Sequence, residues 1–184
     1  MPESLISRET VFAGVLLTVH RDIVGVQDGT NTIREWVEHP GAAAVVPMFD
    51  DGSVLLVRQH RYATGRRFLE VPAGKLDSGE APADAAAREL EEETGWRAGR
   101  LDAIGAVYPC IGYSDEVIHL FVGTELSEGA AVAGPDEQLE IVRMPFADAL
   151  AQVRSGEIDD AKTVAALVRA EALVAGHRAL GSRQ

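Results

Sequence analysis

Over the first forty residues, apolar and polar positions follow the short period that is typical of β-structure. Val, Leu, Ile, Phe and Thr are frequent in three runs, residues 10–20, 22–27 and 32–38. Alternation of apolar and polar side chains is typical of half-buried strands, and an Asp-Gly pair at 28–29 favours a tight turn between the last two runs. A His-Pro-Gly sequence at 39–41 ends the pattern. We therefore predict a separate N-terminal antiparallel β segment over residues 1–40.

Beyond this segment, apolar runs and helical periodicities follow one another without an internal repeat. The predicted strands are 42–49, 53–60, 67–71, 101–108, 117–126 and 139–144, and the predicted helices are 82–94, 146–155 and 160–175. Residues 127–138 have the Gly, Pro and acidic content of a surface loop, and residues 177–184 are predicted to be a frayed tail. Strands with helices before and after them fit an α/β fold, with an α/β/α sandwich around a mixed sheet over residues 41–184.

The first predicted helix carries an acidic face. Pro82 suits its first turn, because the missing N–H would be unpaired there, and Gly95 suits the position after its last turn. At about 100° per residue, Glu89, Glu92 and Glu93 fall together, and their charges repel at neutral pH. Hard divalent cations, which take oxygen ligands, would remove this repulsion, although a run of glutamates is more often a solvated face. The three glutamates alone leave both interpretations open.

The composition is that of a globular domain. The chain has 184 residues, of which 46% are hydrophobic and 25% charged. No apolar run approaches the ~20 residues of a membrane span, the N-terminus lacks the basic and apolar regions of a signal peptide, and the single cysteine, Cys110, cannot form an internal disulfide. We expect a cytoplasmic protein without a membrane partner.

The formal net charge of −12 bears on the choice of ligand. Binding to nucleic acid needs basic stripes that meet the phosphate backbone, so we expect no nucleic acid partner. If the ligand is instead a small anionic diphosphate, its charge must be met locally, by metal ions and a few placed arginines.

Residues 74–96 contain a longer pattern that includes the acidic face. It reads G-x5-E-x7-R-E-U-x-E-E-x-G-U, in which U is a bulky apolar residue. Its nine fixed positions are filled by Gly74, Glu80, Arg88, Glu89, Leu90, Glu92, Glu93, Gly95 and Trp96. Because chance is a poor explanation for nine matches, the chain is judged to resemble the Nudix hydrolases, which cleave nucleoside diphosphates linked to another group. The resemblance implies the Nudix-type α/β/α sandwich.

Further segments resemble the ADP-ribose pyrophosphatase branch of that family. They are residues 58–62, residues 68–74 and residues 108–116, together with the β-rich N-terminal segment. The resemblance implies an enzyme that hydrolyses a small nucleoside diphosphate substrate, ADP-ribose, to AMP and ribose 5-phosphate. In this branch the N-terminal β segment is exchanged between two subunits and helps to form the adenine site. The resemblance therefore implies a homodimer.

One position departs from the branch. Ile111 stands where the branch commonly has a proline that marks preference for ADP-ribose. An alternative is therefore a hydrolase of another nucleoside diphosphate sugar, such as GDP-mannose. A third alternative is a non-catalytic ADP-ribose-sensing module, which is disfavoured by the intact pattern at 74–96 and by the lack of a basic DNA-binding segment.

The resemblance also assigns a metal site and a catalytic set. It implies two or three Mg²⁺ or Mn²⁺ ions. The implied ligands are the backbone carbonyl of Ala73 and the carboxylates of Glu89, Glu92 and Glu93. Glu80 either binds a third metal or braces the loop before the helix. The implied catalytic residues are Glu116, as the base or as the group that orients the attacking water, Glu92, and Arg88, which would hold the carboxylates by charge-assisted pairs.

The implied substrate-binding residues are Arg34, Trp36, Arg61, Glu70 and Gly112. Arg61 lies where the family contacts a substrate phosphate. Glu70, next to the metal-binding loop, would position substrate or arginine side chains. Trp36 is a candidate either for stacking on adenine or for covering a dimer core, since an indole offers a large apolar surface with one polar handle.

Overall fold

The computed structural model describes residues 3–129 and 139–181, with side chains described up to residue 174. The strands are β1 (Glu3–Ala13), β2 (Thr18–Val26), β3 (Asn31–Glu38), β4 (Ala42–Pro47), β5 (Ser53–Arg61), β6 (Arg66–Glu70), β7 (Ala73–Lys75), β8 (Trp96–Val107), β9 (Ile118–Glu128) and β10 (Glu140–Pro145). The α-helices are α1 (Pro82–Thr94), α2 (Phe146–Ser155) and α3 (Ala161–Gly181), and a 3-10 turn spans Tyr62–Thr64.

Internal contacts divide the chain into two units. The first contains the described residues up to Gly41 together with Tyr108–Val117, and the second contains Ala42–Val107 together with the described residues from Ile118 onwards. The loop 108–117 therefore joins the first unit, although it is distant in sequence from the rest of that unit. Residues 130–138, most of the predicted surface loop, lie outside the described residues.

The first unit is a three-stranded antiparallel sheet in the order β1-β2-β3. Within the apolar run 10–20, the chain turns back between β1 and β2. The amide N–H of Gly14 donates to the carbonyl of Leu17 at 2.9 Å. A Cβ atom built on Gly14 would lie 2.7 Å from the Phe12 ring, so a larger residue at this turn would displace that exposed ring. The loop residue Tyr113 accepts a hydrogen bond of 2.8 Å from the N–H of Val37.

The second unit is an α/β/α sandwich around a mixed sheet, as predicted. Its main sheet has the order β7-β4-β9-β8, in which only the β4–β9 pair is parallel. Strand β4 is buried throughout, which explains its continuous apolar sequence. One face, with Ala44 and Val46, packs with Leu167 of α3, and the other, with Val45, packs with Leu90 of α1. A second, antiparallel sheet has the order β10-β5-β6.

Several element boundaries differ from the predictions. Strand β8 begins at Trp96 instead of residue 101, because Trp96, Ala98 and Leu101 together pack on the α1 side of the sheet. Strand β7 was not predicted. Helix α3 continues through Gly181, so residues 177–181 are not a frayed tail, and residues 182–184 lie outside the described part. Among the described residues, no helix combines the length and apolarity needed to cross a membrane.

Candidate active site

Helix α1 presents its acidic face because its apolar face is fixed on the sheet. Ala85, Ala86 and Leu90 are fully buried against the main sheet. Pro82 occupies the first turn, and Gly95 ends the helix in the left-handed region with φ of 72°, donating its N–H to the Glu91 carbonyl. The helix therefore begins and ends where the sequence predicted, and its rotation about its axis is set by the three buried residues.

Gly74 lets the loop before α1 approach the helix closely. It lies in β7, paired with Ala43 of β4. A Cβ atom built on Gly74 would overlap the carboxylate of Glu89. With the Glu89 carboxylate in its observed position, any larger residue at 74 would displace it, which gives a steric reason for the glycine that opens the 74–96 pattern.

Glu93 joins the helix to the same loop. Its residue surface is 8% exposed, and its carboxylate accepts a hydrogen bond of 3.2 Å from the backbone N–H of Ala73. Ala73, whose carbonyl is a predicted metal ligand, is thus held against Glu93, a predicted carboxylate ligand.

Arg88 connects most of the other predicted ligands. Its Nε and Nη2 atoms each lie 2.9 Å from a carboxylate oxygen of Glu80, and its Nη1 atom lies 2.7 Å from Glu89 and 3.2 Å from Glu92. Nη2 also donates to the Lys75 carbonyl at 3.1 Å. The hydrogen bonds to Glu80, opposed by burial and supported by Glu89, raise the pKa of Arg88 above its ordinary value.

Glu80 is held ionised by this arrangement. The hydrogen bonds from Arg88, followed by that from the N–H of Asp77, lower the pKa of Glu80 to about 2. The bidentate pair with Arg88 therefore persists across the neutral range, and Glu80 braces the loop in the structure.

The donor set suits divalent cations by its chemistry. Glu89, Glu92, Glu93 and the Ala73 carbonyl offer hard oxygen ligands, with the Glu89 carboxylate packed against Gly74 and the Glu93 carboxylate bonded to the Ala73 N–H. Within residues 3–129 and 139–181, no three acidic, histidine or cysteine side chains are gathered closely enough to hold an ion. The described side chains of Glu89 and Glu92 instead share Nη1 of Arg88, which relieves their repulsion.

Arg61, the last residue of β5, and Glu70, the last residue of β6, form a second charged group. Arg61 donates from Nε at 2.8 Å and from Nη2 at 2.6 Å to the two oxygens of Glu70, which is buried. The hydrogen bonds to Glu70, opposed by burial, raise the pKa of Arg61. Lys162 also donates to Glu70, and it lies 2.9 Å from Asp160.

Sequence reasoning missed Lys162 and Asp160. They stand 92 and 90 positions after Glu70, so no local pattern joins them to it. One signal was present, an Asp followed three residues later by Thr at a helix start. Asp160 accepts from the N–H of Thr163 at 3.0 Å and from its hydroxyl at 2.6 Å, which is an N-terminal cap.

The remaining predicted site residues lie in the first unit. Arg34, Trp36 and Gly112 line one cavity of about 240 Å³. Trp36 donates its indole N–H to Asp22 at 3.1 Å, its ring lies 4.8 Å from that of His20, and the Arg8 guanidinium lies 4.7 Å above it. The indole is therefore fixed by three partners within this unit.

Glu116, the predicted base, lies at the end of the loop 108–117 in the first unit. Its backbone N–H donates to the Ser114 hydroxyl at 3.1 Å. One carboxylate oxygen lies 3.7 Å from Nε2 of His39. Glu116 is partly buried, with the His39 ring beside its carboxylate.

Comparison with known proteins supports the same family as the residues. The model of the NUDIX domain matches residues 38–167. An ADP-ribose pyrophosphatase of Bacillus subtilis is 40% identical over 169 residues, which cover 91% of each chain. A methanol dehydrogenase activator of Bacillus methanolicus is 36% identical over 90% of each chain. A GDP-mannose pyrophosphatase of Cronobacter sakazakii is 38% identical over 67% of this chain and 69% of its own.

A solved structure described as an ADP compounds hydrolase has a similar fold. It superposes with a TM-score of 0.86 over 96% of both chains at 25% identity. The family inferred from residues 74–96 is thus confirmed by both sequence and fold, and the chain belongs to the Nudix hydrolase family.

Proposed function

We propose that this protein hydrolyses the diphosphate bond of ADP-ribose, giving AMP and ribose 5-phosphate. The observation that carries the proposal is the group of four glutamates, Glu80, Glu89, Glu92 and Glu93, held by Arg88 and by the loop around Gly74. The choice of ADP-ribose is supported by the 40% identity to a named ADP-ribose pyrophosphatase over nearly the whole chain.

Nudix hydrolases generally need divalent metal ions. We propose Glu89, Glu92, Glu93 and the Ala73 carbonyl as ligands of two or three Mg²⁺ or Mn²⁺ ions, with Glu80 bracing the loop or binding one of them. When bound, such ions neutralise phosphate charge and lower the pKa of bound water. Arg88 provides the countercharge that keeps Glu89 and Glu92 together.

The chain's own residues then orient the substrate and move the proton. Arg61 is the proposed phosphate contact, because its exposed guanidinium carries a fixed positive charge next to the loop. Glu116 is the proposed base, which accepts the proton of the attacking water. Water oxygen bonds to one phosphorus, the bridging P–O bond breaks, and the other phosphate leaves with the bridging oxygen. Trp36, Arg34 and Gly112 are the proposed contacts at the nucleoside end.

We further propose a cytoplasmic homodimer that has neither a nucleic acid nor a membrane partner. Exposed apolar side chains in the first unit, among them Leu5, Ile6, Phe12 and Leu16, support an interface on this unit. The single cysteine, Cys110, is a free thiol, which fits a reducing compartment. The net charge of −12 disfavours binding to nucleic acid.

GDP-mannose is the second candidate substrate. A GDP-mannose pyrophosphatase shares 38% identity over two thirds of this chain. Ile111 replaces the proline expected for ADP-ribose preference, and its side chain is exposed at the rim of the cavity that Trp36 also lines. A different nucleotide sugar at this end of the substrate would leave the chemistry at the diphosphate unchanged.

A panel of nucleotide sugars assayed with Mg²⁺ tests the proposal. Product AMP and ribose 5-phosphate are separated chromatographically, and phosphate is measured after phosphatase treatment. We expect ADP-ribose to have the highest kcat/KM. A higher kcat/KM for GDP-mannose would identify GDP-mannose, instead of ADP-ribose, as the preferred substrate. Binding of ADP-ribose without hydrolysis under any metal would favour a sensing module.

A further inference from the structure

The group around Glu70 contains one more cation than the proposed reaction uses. The Glu70 side chain is 1% exposed, and it is contacted by both Arg61 and Lys162. Arg61 is about half exposed, whereas Lys162 is 12% exposed. Asp160 supplies the second negative charge, so the four side chains together are neutral. The exposed cation is the one proposed to contact phosphate, and the buried cation has no role in the steps above.

In the structure, Arg61 is committed to Glu70. The bidentate pair uses Nε and Nη2, the edge of the guanidinium that suits a carboxylate or a phosphate equally well. Contact with a substrate phosphate through this edge requires Arg61 to turn away from Glu70. Turning away would leave a buried carboxylate without a cation if Arg61 were its only partner, and an unpaired buried charge is strongly unfavourable.

We propose that Lys162 is a positioning residue, which keeps Glu70 paired so that Arg61 can move from Glu70 to the diphosphate of the substrate. This inference rests on the proposed function, since it takes Arg61 as the phosphate contact. Lys162 acts through Glu70 and does not touch the substrate. It lowers the cost of releasing Arg61, and it thereby increases the affinity for the diphosphate.

The start of α3 holds Lys162 in place for this role. Asp160 caps the helix through Thr163 and also pairs with Lys162. The fully buried Thr163 hydroxyl accepts a hydrogen bond of 3.0 Å from the N–H of Val71, the residue after Glu70. The helix start and the strand end are thus joined at two adjacent points, one between backbone and hydroxyl and one between charged groups.

The choice of lysine fits the same role. Lys75 and Lys162 are the only lysines in a chain that otherwise uses arginine. An ammonium is a compact charge with three donors, so it can contact Glu70 and Asp160 together while sharing only Oε2 of Glu70 with Arg61, which also uses Oε1. A planar guanidinium at this position could take both oxygens of Glu70 and so compete with Arg61 for the bidentate contact. Burial raises the pKa of Asp160, but Lys162 and the bonds from Thr163 outweigh it and lower the pKa below its ordinary value, so Asp160 stays ionised.

The experiment measures the Kd of an ADP-ribose analogue in which a methylene group replaces the bridging oxygen, in the presence of Mg²⁺. For Lys162→Met we expect the Kd to rise roughly 10- to 100-fold, the worth of one charge-assisted hydrogen bond. The kcat for ADP-ribose should change by less than about threefold, because only binding is affected. Lys162→Arg keeps the charge and should recover part of the affinity. Arg154→Met, which removes an exposed cation paired with Glu171, is the matched control and should leave the Kd unchanged.

A double-mutant cycle with Glu70→Gln separates positioning from direct contact. A neutral amide at position 70 needs no second cation, so Lys162→Met should change the Kd little in that background. An equal loss of affinity in both backgrounds would show that Lys162 binds the ligand itself, and it would overturn the inference. Unchanged Kd in Lys162→Met with a lowered melting temperature would also overturn it, because Lys162 would then be structural. Should Lys162→Met fail to fold, Lys162→Gln is measured in its place.

The inference about Lys162 and the proposed function are tested by different measurements, so either can fail without the other. Hydrolysis of ADP-ribose by the parent protein tests the function, whereas the Kd values test Lys162. If the parent hydrolyses ADP-ribose but Arg61→Met binds the analogue as tightly as the parent, Arg61 is not the phosphate contact and the inference is overturned while the enzyme assignment stands.

Discussion

At the scale of single residues, the carboxylates of α1 differ in surroundings although they look alike in sequence. Glu93 is buried and accepts the Ala73 N–H, Glu89 lies against Gly74, and Glu92 is nearly half exposed. Glu91 points to Arg97 on the other side of the helix. The proposed ligands are therefore distinguished from an ordinary acidic face by a loop that is built around them.

For Glu93→Gln we expect kcat to fall at least roughly 10²- to 10³-fold, the usual loss when one preorganised electrostatic contact is removed. The amide has the shape of the carboxylate and can still accept the Ala73 N–H, so the protein should stay folded. Activity at saturating Mg²⁺ and circular dichroism check this together. Glu91→Gln, on the same helix but outside the Arg88 group, is the matched control. Near-parental turnover of Glu93→Gln would remove Glu93 from the ligand set.

For Glu116→Gln we expect kcat to fall by roughly 10²- to 10⁴-fold with metal affinity nearly unchanged, because the proton acceptor is lost and the proposed ligands remain. Single-turnover kinetics and Mg²⁺ titration measure the two quantities. A fall of less than about tenfold would make Glu116 a spectator or a substrate contact, and the base would then be sought at Glu80 or Glu92. A collapse of metal affinity would make Glu116 a ligand.

At the scale of elements, each unit contains a polar group that fixes how its strands or helices are registered. In the N-terminal sheet, Arg8 of β1 lies opposite Asp22 of β2, and Trp36 of β3 donates to the same carboxylate. This contact across three strands pins the register more strongly than the loose alternation in the sequence could. In the second unit, Thr163 at the capped start of α3 accepts the N–H of Val71, and this contact fixes the start of α3 against the end of β6.

The Asp22 group predicts a pH dependence of stability. Hydrogen bonds from Arg8, opposed by burial and joined by Trp36, lower the folded-state pKa of Asp22 below its ordinary value of 3.8. The stabilisation is thus fully present above the unfolded-state pKa and is lost as the pH falls through the lower, folded-state pKa. Asp22→Asn should therefore melt below the parent protein by a constant margin from neutral pH down to about pH 5, and by a shrinking margin below pH 3.8.

Thermal melting of both proteins at several pH values measures this margin. Asp50→Asn, at the exposed turn between β4 and β5, is the control. A margin for Asp22→Asn that stays unchanged down to pH 3 would mean that the Asp22 charge does not stabilise the sheet.

At the scale of the whole molecule, apolar surface is distributed unevenly. Of the exposed large hydrophobic side chains, nine lie between Leu5 and Ile33, in the first unit, although this unit has fewer residues than the second. A three-stranded sheet that exposes so much apolar surface is marginal alone and gains from burial against another surface.

We predict that the chain is a homodimer in solution and that the first unit forms the interface. Light scattering at micromolar concentration should give twice the mass of one chain. Leu16→Asp, at the β1–β2 turn, should shift the protein towards monomer because it places a charge on the buried surface. Ile141→Asp, which alters an exposed apolar residue of β10, is the control. A fully active monomeric parent protein would contradict the prediction.

The sequence alone determined the features that local physics controls. Helix α1 begins at Pro82 and ends before Gly95, its acidic face follows from the helical period, and the α/β class follows from the alternation of elements. Gly74 was also identified in the sequence, but its steric reason, the contact with Glu89, is visible only in the structure.

The tertiary structure decided what depends on contacts between distant segments. It joined the loop 108–117 to the N-terminal sheet, placed the start of β8 at Trp96, and brought Lys162 to Glu70 across 92 positions of sequence. Ion pairs of this kind have no local period, because their geometry is set by which strand and helix ends meet. The side chains that hold the site in place could therefore be found only after the chain was folded.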